Sequence, residues 1–252
     1  MGVDVGDFDN SGVASIAITN FDNEMMALFR PLRTGVFADI AMKAGIGQPS
    51  RNSLGFGCAF FDANLDGYLD LLAVNGHIDE TARHLRNNLS YAQPPNLFLN
   101  DGKGGFRDVA SLAGTEFASP KVARGLALGD LDRDGDVDLL ITTNQGPAYL
   151  YRNDVAPGQH SLRLKLVGTK SNRDAVGAVV RVSTADGTQS RMVRTGSSYL
   201  SQSELALTFG LGRRDAAIRV VMEWPSGRTQ EFKDVRAGMY ECVEGASLTP
   251  RP

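Results

Sequence analysis

"GDLDRDGDVDLL", residues 129–140, sets five aspartates within nine positions between two apolar flanks. Like charges at that density repel, and a solvated face has no need of a carboxylate at every second residue. Numbered from Asp130, carboxylates fall at positions 1, 3, 5 and 9 (Asp130, Asp132, Asp134, Asp138), with Gly135 at 6 and Asp136 at 7. A hard cation wanting six to eight oxygens at about 2.3–2.6 Å is served by alternate residues of a tightly curled loop. Glycine at 6 permits the positive φ that curls it, and Asp136 can offer its backbone carbonyl. The stretch therefore implies a divalent cation, and its all-oxygen donor set implies Ca2+.

Two more segments align with this one. "GVDVGDFDNSGVASIAITN" (2–20) and "GCAFFDANLDGYLDLLAVN" (57–75) match "GLALGDLDRDGDVDLLITTN" (125–144). The period-2 pairs Val3/Val5, Cys58/Phe60 and Leu126/Leu128 predict half-buried strands before each loop. The short apolar run after each loop predicts a strand buried on both faces. The second loop offers Asp62, Asn64, Asp66, Asp70 and the Tyr68 carbonyl. The first offers only Asp7 and Asp9, with Ser11 and Ser15 at positions 5 and 9. Ligand charge tunes calcium affinity, so the expected order is third, second, first: two ions, and a third if the incomplete first loop holds one. An EF-hand is excluded, because position 12 holds Ile18, Ala73 and Ile141 rather than Glu, inside strand-like runs. Metal-free Asp/Asn/Gly turns are the alternative, and the threefold recurrence argues against it.

The linkers echo one another too: "MALFRPLRTGVFADIAMKAG" (26–45) and "NLFLNDGKGGFRDVASLAG" (96–114). Repeated units of several short strands, first Asp7 to Asp62 and then Asp62 to Asp130, mean propeller blades or a related array. The longer second interval contains "GHIDETARHLRNNLSYAQPP" (76–95), where Ile78, Ala82 and Leu85 predict a short helix.

The 252 residues are 42% hydrophobic and 22% charged, the balance of a soluble globular protein. No apolar run is long enough to span a membrane, and the opening "MGVDVGDFDN" lacks the basic and apolar regions of a signal peptide. The net charge of −3 divides into −8 over residues 1–155 (12 Lys+Arg, 20 Asp+Glu) and +5 over 156–252 (14 against 9). That split predicts two domains, 1–155 and 156–245. Neither half has the basic stripe of a nucleic-acid binder. Cys58 and Cys242 read as buried free thiols, with a disulfide as the alternative. His77, His84 and His160 do not cluster, which argues against zinc.

The C-terminal part reads as strands over 160–168, 175–184, 188–196, 204–212, 217–224 and 228–235, separated by "ADG" and "PSG" turns at sandwich-like spacing. Leu162/Leu164/Leu166 alternate with Arg163/Lys165, predicting one buried and one solvated face. Trp224, ahead of Pro225-Ser226-Gly227, is expected to anchor the core.

The three acidic loops resemble the calcium loops of FG-GAP/VCBS repeats, the blade units of integrin-α-like β-propellers. "SNRDAVGAVVRV" (171–182), "YLSQSE" (199–204), "FGLG" (209–212) and "EWPSG" (223–227) resemble the ASPIC/UnbV domain that follows such repeats in the cartilage-acidic-protein family and its bacterial-type relatives. The resemblance implies an all-β chain: a partial propeller of about three blades, then a β-sandwich-like domain. It also implies structural calcium, and an extracellular or periplasmic setting for the parent family. Asn172, Arg173 and Gln202 stand as recognition residues, with local turn hydrogen bonds the plainer reading. A closed propeller takes about four to eight blades, so three units suggest part of a longer parent or a shortened member. They also leave an open edge through which the chain could associate.

No Gly-x-Ser-x-Gly, P-loop or Gly-x-Gly-x-x-Gly motif is present, so the expected function is a non-catalytic binding module for protein or glycan partners. The alternative is a UnbV-like role in natural-product biosynthesis of the enediyne type, with a pocket between arc and C-terminal domain and His77 as its acid or base.

Overall fold

Each repeat folds as an antiparallel meander. The first orders β1 (Val3–Gly6), β2 (Ser15–Ile18), β3 (Ala27–Arg33) and β4 (Val36–Asp39) side by side. The second orders β5 (Gly55–Phe61), β6 (Asp70–Asn75), β7 (Asn96–Asn100) and β8 (Phe106–Asp108); the third has β9 (Ala123–Gly129), β10 (Asp138–Thr143) and β11 (Tyr149–Tyr151). The structure is a computed structural model that describes residues 1–33, 35–81, 89–154 and 158–251. Every acidic loop joins the first strand of a meander to the second, in one register: Gly6 pairs with Ser15, Phe61 with Asp70, and Gly129 with Asp138. Position 9 of each loop is therefore the first residue of the returning strand.

The middle sheet is buried on both faces, and its alternation shows why. Cys58, Phe60, Leu71 and Ala73 join Phe8, Ala17 and Leu28 of the first sheet. Ala59, Phe61, Leu72 and Val74 join Leu126, Leu139 and Ile141 of the third. The expectation of two-faced burial holds for β6 and fails for β2 and β10, because the outer sheets have a neighbouring meander on one side only. Leu140, paired with Leu150, is accordingly exposed. The echoed linkers have a shared job: Asp39 accepts the amides of Leu28 and Ala41, and Asp108 those of Leu97 and Ala110, each fastening an outer strand to the turn beyond it.

After residue 159 the strands form two further sheets. One orders β15 (Leu207–Gly212), β12 (His160–Val167), β18 (Gly238–Val243) and β19 (Leu248–Pro250); the other orders β14 (Gly187–Met192), β13 (Val179–Thr184), β16 (Ala216–Glu223) and β17 (Thr229–Arg236). Both sheets feed one hydrophobic cluster around Leu162, Leu164, Phe209, Val180, Met222 and Trp224. The chain is thus all-β with its sheets in a β-propeller arrangement, and its described residues form five sheets where the repeats imply about three blades. The additional sheets come from C-terminal strands that, among the described residues, pair with one another.

Two C-terminal strands, β18 and β19, were not anticipated, and β18 runs parallel to β12, from Leu162↔Gly238 to Val167↔Val243. Arg163 is not on a solvated face: it is buried, because its side of β12 lies against the third acidic loop. Ala82 and Leu85, which suggested a helix, lie outside the described residues. Cys58 and Cys242 are buried and free, each in a different cluster.

Candidate metal centres

Each acidic loop is curled by two left-handed residues, at positions 4 and 6. The sixth is glycine, as expected: Gly12, Gly67 and Gly135 have φ of 82, 95 and 101°. The fourth is Asn10, Leu65 or Arg133, with φ of 52, 56 and 65°. A leucine there carries a backbone cost, and its repetition at one loop position shows that the curl itself is being held.

The holding group is the aspartate at position 1. Asp7 accepts the amides of Ser11 and Gly12, both at 2.9 Å, and Asp62 those of Asp66 (3.0 Å) and Gly67 (2.8 Å). Asp130 accepts from Arg133 (2.7 Å) and Gly135 (3.2 Å). Position 9 does equivalent work at the other end. Asp70 takes the amides of Ala63 and Asn100, both at 2.8 Å, and Asp138 takes those of Leu131 (2.8 Å) and Asn153 (2.9 Å). Asn100 and Asn153 then reach one repeat back: their side chains donate to the carbonyls of Phe8 and Ala63, position 2 of the preceding loop. A loop, its own outer strand and the neighbouring loop are thereby tied together. Nothing local in the sequence marks these two asparagines, whose partners lie 92 and 90 residues away.

In the third loop Asp130, Asp132 and Asp138 each bring one oxygen within 4.8 Å of the others. One cation can bridge that span, since twice a calcium–oxygen bond is about 5 Å. Asp134 stays outside this group and accepts the amide of Asp136, whose own Oδ1 is buried without a partner. Among the described residues, Asp62, Asp66 and Asp70 do not close to the same span, because Asp66 is held by the Asn64 side chain and the Tyr68 amide. The first loop departs furthest. Ser15 replaces the aspartate at position 9 with its hydroxyl buried and unpartnered, and Arg30 pairs with Asp9 at 2.5 Å.

Burial pushes Asp62 up to about 7, with Asp66 adding to it. Asp70 rises to about 8, burial first, with Asp62 and Asp66 contributing. Asp136 reaches about 7 through burial and the nearby Asp134 and Asp138. Asp7 and Asp130 move upward for the same leading reason. The donor atoms are all oxygen, the carboxylates are under-compensated, and a hard cation fits the third loop.

The C-terminal sheets press on these loops. Ser161 donates to the Gly135 carbonyl at 2.5 Å, the Gly212 amide to the Leu65 carbonyl at 2.9 Å, and Arg163 pairs with Asp130 at 3.1 Å. Residues 198–204 run along the first strands of all three meanders. Ser198 bonds Val3, Tyr199 packs its ring against Phe56, and Ser201 and Ser203 accept the amides of Leu126 and Leu128.

A profile for ASPIC and UnbV matches residues 168–246, and one for an FG-GAP-like repeat matches residues 87–141, which include the third loop. The chain carries an FG-GAP-like repeat and an ASPIC and UnbV region. It is 25% identical to cartilage acidic protein 1 of Mus musculus over 293 aligned residues, covering 90% of this chain and 42% of that protein. Against the Homo sapiens protein the figures are 25% over 324 residues, covering 100% and 46%. The chain spans less than half the length of the curated relatives it matches.

Within the ASPIC and UnbV region two of the three recognition candidates, Asn172 and Gln202, make local hydrogen bonds, and the third, Arg173, is exposed. Asn172 exchanges hydrogen bonds with the Val176 backbone, and Gln202 bonds Gly196 and Ser203. Ser171 and Ser226, from two of the quoted motifs, converge on the carboxylate of Glu244, which also takes the amides of Thr169, Lys170 and Ser171. His77 is buried, accepts the Asp79 amide on Nδ1 and faces Asp22 with Nε2 at 3.3 Å.

Proposed function

We propose that this chain is a calcium-stabilised, non-catalytic interaction module that works outside the cytoplasm, extracellularly or in a periplasm, on protein or glycan partners. The observation that carries the reading is the convergence of Asp130, Asp132 and Asp138 in a loop whose left-handed curl recurs three times. Asp130, Asp132, Asp134 and Asp138, with the Asp136 carbonyl, would hold one ion. Asp62, Asn64, Asp66 and Asp70, with the Tyr68 carbonyl, would hold a second. The first loop is the weakest, since Ser15 removes the charge at position 9 and leaves only Asp7 and Asp9. Bound calcium supplies charge neutralisation, and a site saturated by protein oxygens keeps no open position for chemistry. Millimolar extracellular calcium fills even modest loops, which supports the localisation.

The two C-terminal sheets, sharing one core, are taken as the sandwich-like domain. The outer face of the third meander, where Leu140 and Leu150 are exposed, is where association is expected. Among the described residues no helix is long and apolar enough to cross a membrane.

One observation favours the biosynthetic alternative: a cavity of about 370 Å³ does lie between the repeats and the C-terminal strands. Its described lining holds no histidine, lysine or cysteine, and His77 is elsewhere, engaged with Asp79 and Asp22. A nucleophile–base pair is what that reading would need. Equilibrium dialysis with calcium tests the favoured reading. The chain is expected to bind two ions tightly and Asp132→Asn one fewer, whereas equal stoichiometry in both, or none in either, would contradict it.

A further inference from the structure

The cavity between the repeats and the C-terminal strands is walled largely by apolar side chains, among them Phe60, Phe61, Leu69, Leu205 and Leu207. Its volume is near the small end of the range for ligand pockets. Charged groups also face it, and most are already paired. Arg194 lies 2.6 Å from the buried Asp4, Glu204 pairs with Arg163 at 2.8 Å, and Arg181 pairs with Glu223 at 2.5 Å. Asp7 and Asp62 are taken by the amides of their own loops.

Arg191 is different. Its guanidinium donates to the Ser190 carbonyl at 3.1 Å and to Gln189 at 3.3 Å, and it sits 5.5 Å from the centre of the Phe209 ring. Its Nε is buried without a partner, and among the described residues no carboxylate forms an ion pair with it. Burial pulls the cation down to about 10, although Asp62 and Asp7 are near enough to work the other way. An arginine remains protonated at neutral pH even so.

The geometry points to a binding site in this cavity for a small amphipathic organic anion, an apolar ring body bearing a carboxylate or sulfonate, with Arg191 as the anchor of the anionic end. The apolar walls supply affinity for the body. The unpartnered Nε–H of a guanidinium whose neighbouring carboxylates, Asp62 and Asp7, are engaged by the amides of their own loops supplies the preference for the anion.

Two fluorescent probes test this on the whole chain in calcium-containing buffer: anilinonaphthalene sulfonate, and its uncharged analogue N-phenylnaphthylamine. The sulfonate is expected to bind one per chain and at least about tenfold more tightly than the amine, the scale of one charge-assisted hydrogen bond. Arg191→Met is expected to remove that preference while leaving the amine unchanged. Ala14→Trp, on an exposed residue that lines the cavity, is expected to block both probes without touching the core. Equal affinity for the two probes, binding that Ala14→Trp leaves intact, no saturable binding, or equal loss of both probes in Arg191→Met would each overturn the assignment.

Discussion

Glu244 and Asp62 are both buried carboxylates cradled by backbone amides, yet they end on opposite sides of the ordinary carboxylate range. Although burial works to raise Glu244, the Ser171 amide, the Ser226 hydroxyl and the amides of Thr169 and Lys170 hold it down at about 2. Asp62 has two amides, and burial leaves it up at about 7. The difference lies in the ratio of donors to charge. Around Glu244 five donor groups serve one carboxylate, so the nest is complete. In the second loop Asp62, Asp66 and Asp70 repel one another while sharing a few amides, so the nest is unfinished. Three amides and two serine hydroxyls complete the first kind of site; an added cation would complete the second.

Metal removal separates the two most widely. Calcium at about 100 times its dissociation constant is expected to add about 2.7 kcal/mol per site, roughly 5–10 °C in melting temperature for a chain of this size. Chelator should reverse the shift. A melting temperature indifferent to calcium would place the acidic loops with Glu244, as self-sufficient.

pH comes next, and its sign differs between the two regions. Asp62 and Asp70 have folded-state values above their ordinary 3.8, so their contribution favours the fold at low pH and is lost as pH rises through about 7 and 8. In chelator, thermal melts should show stability falling between about pH 4 and pH 8. In saturating calcium that fall should vanish, because the ion holds the ionised form. An identical pH profile with and without calcium would deny that these groups see the metal.

Smaller effects are expected from the straps and from the finished nest. Asn100→Ala and Asn153→Ala each strip a buried carbonyl of its donor and should cost about 1–3 kcal/mol in urea titrations. The loss should persist with calcium bound, since the strap ties repeat to repeat rather than ligand to ion. Glu244→Gln is expected to lower the melting temperature equally in calcium and in chelator. Glu244 is depressed when folded, so its contribution is present above about 4.5 and lost as pH falls toward 2; the wild-type-to-variant gap should close over that window. A gap that depended on calcium would tie Glu244 to the loops after all.

The acidic loops were legible because their chemistry is local: alternate oxygens and a glycine fall within nine residues, and strand alternation on either side fixes the hairpin. Their left-handed fourth position was not, since Asn10, Leu65 and Arg133 share no side-chain property. Asn100 and Asn153 were hidden for another reason, their partners being a whole repeat away. Arg163 alternates with leucines and reads as solvated; it is buried because a loop from elsewhere in the chain supplies Asp130. β18 escaped notice because its stabilising partner is β12, a parallel neighbour far off in sequence. Single-strand and single-loop features were thus readable, whereas features made by two distant segments were not.

Calorimetric titration of calcium into metal-stripped protein, run near pH 7 in two buffers of different ionisation enthalpy, tests the central claim most directly. Carboxylates raised by burial to about 7 and 8 should surrender protons as the ion enters, so the account predicts two bound ions and a net proton release that disappears at about pH 9.5. Binding without proton release, or no binding at millimolar calcium, would contradict it.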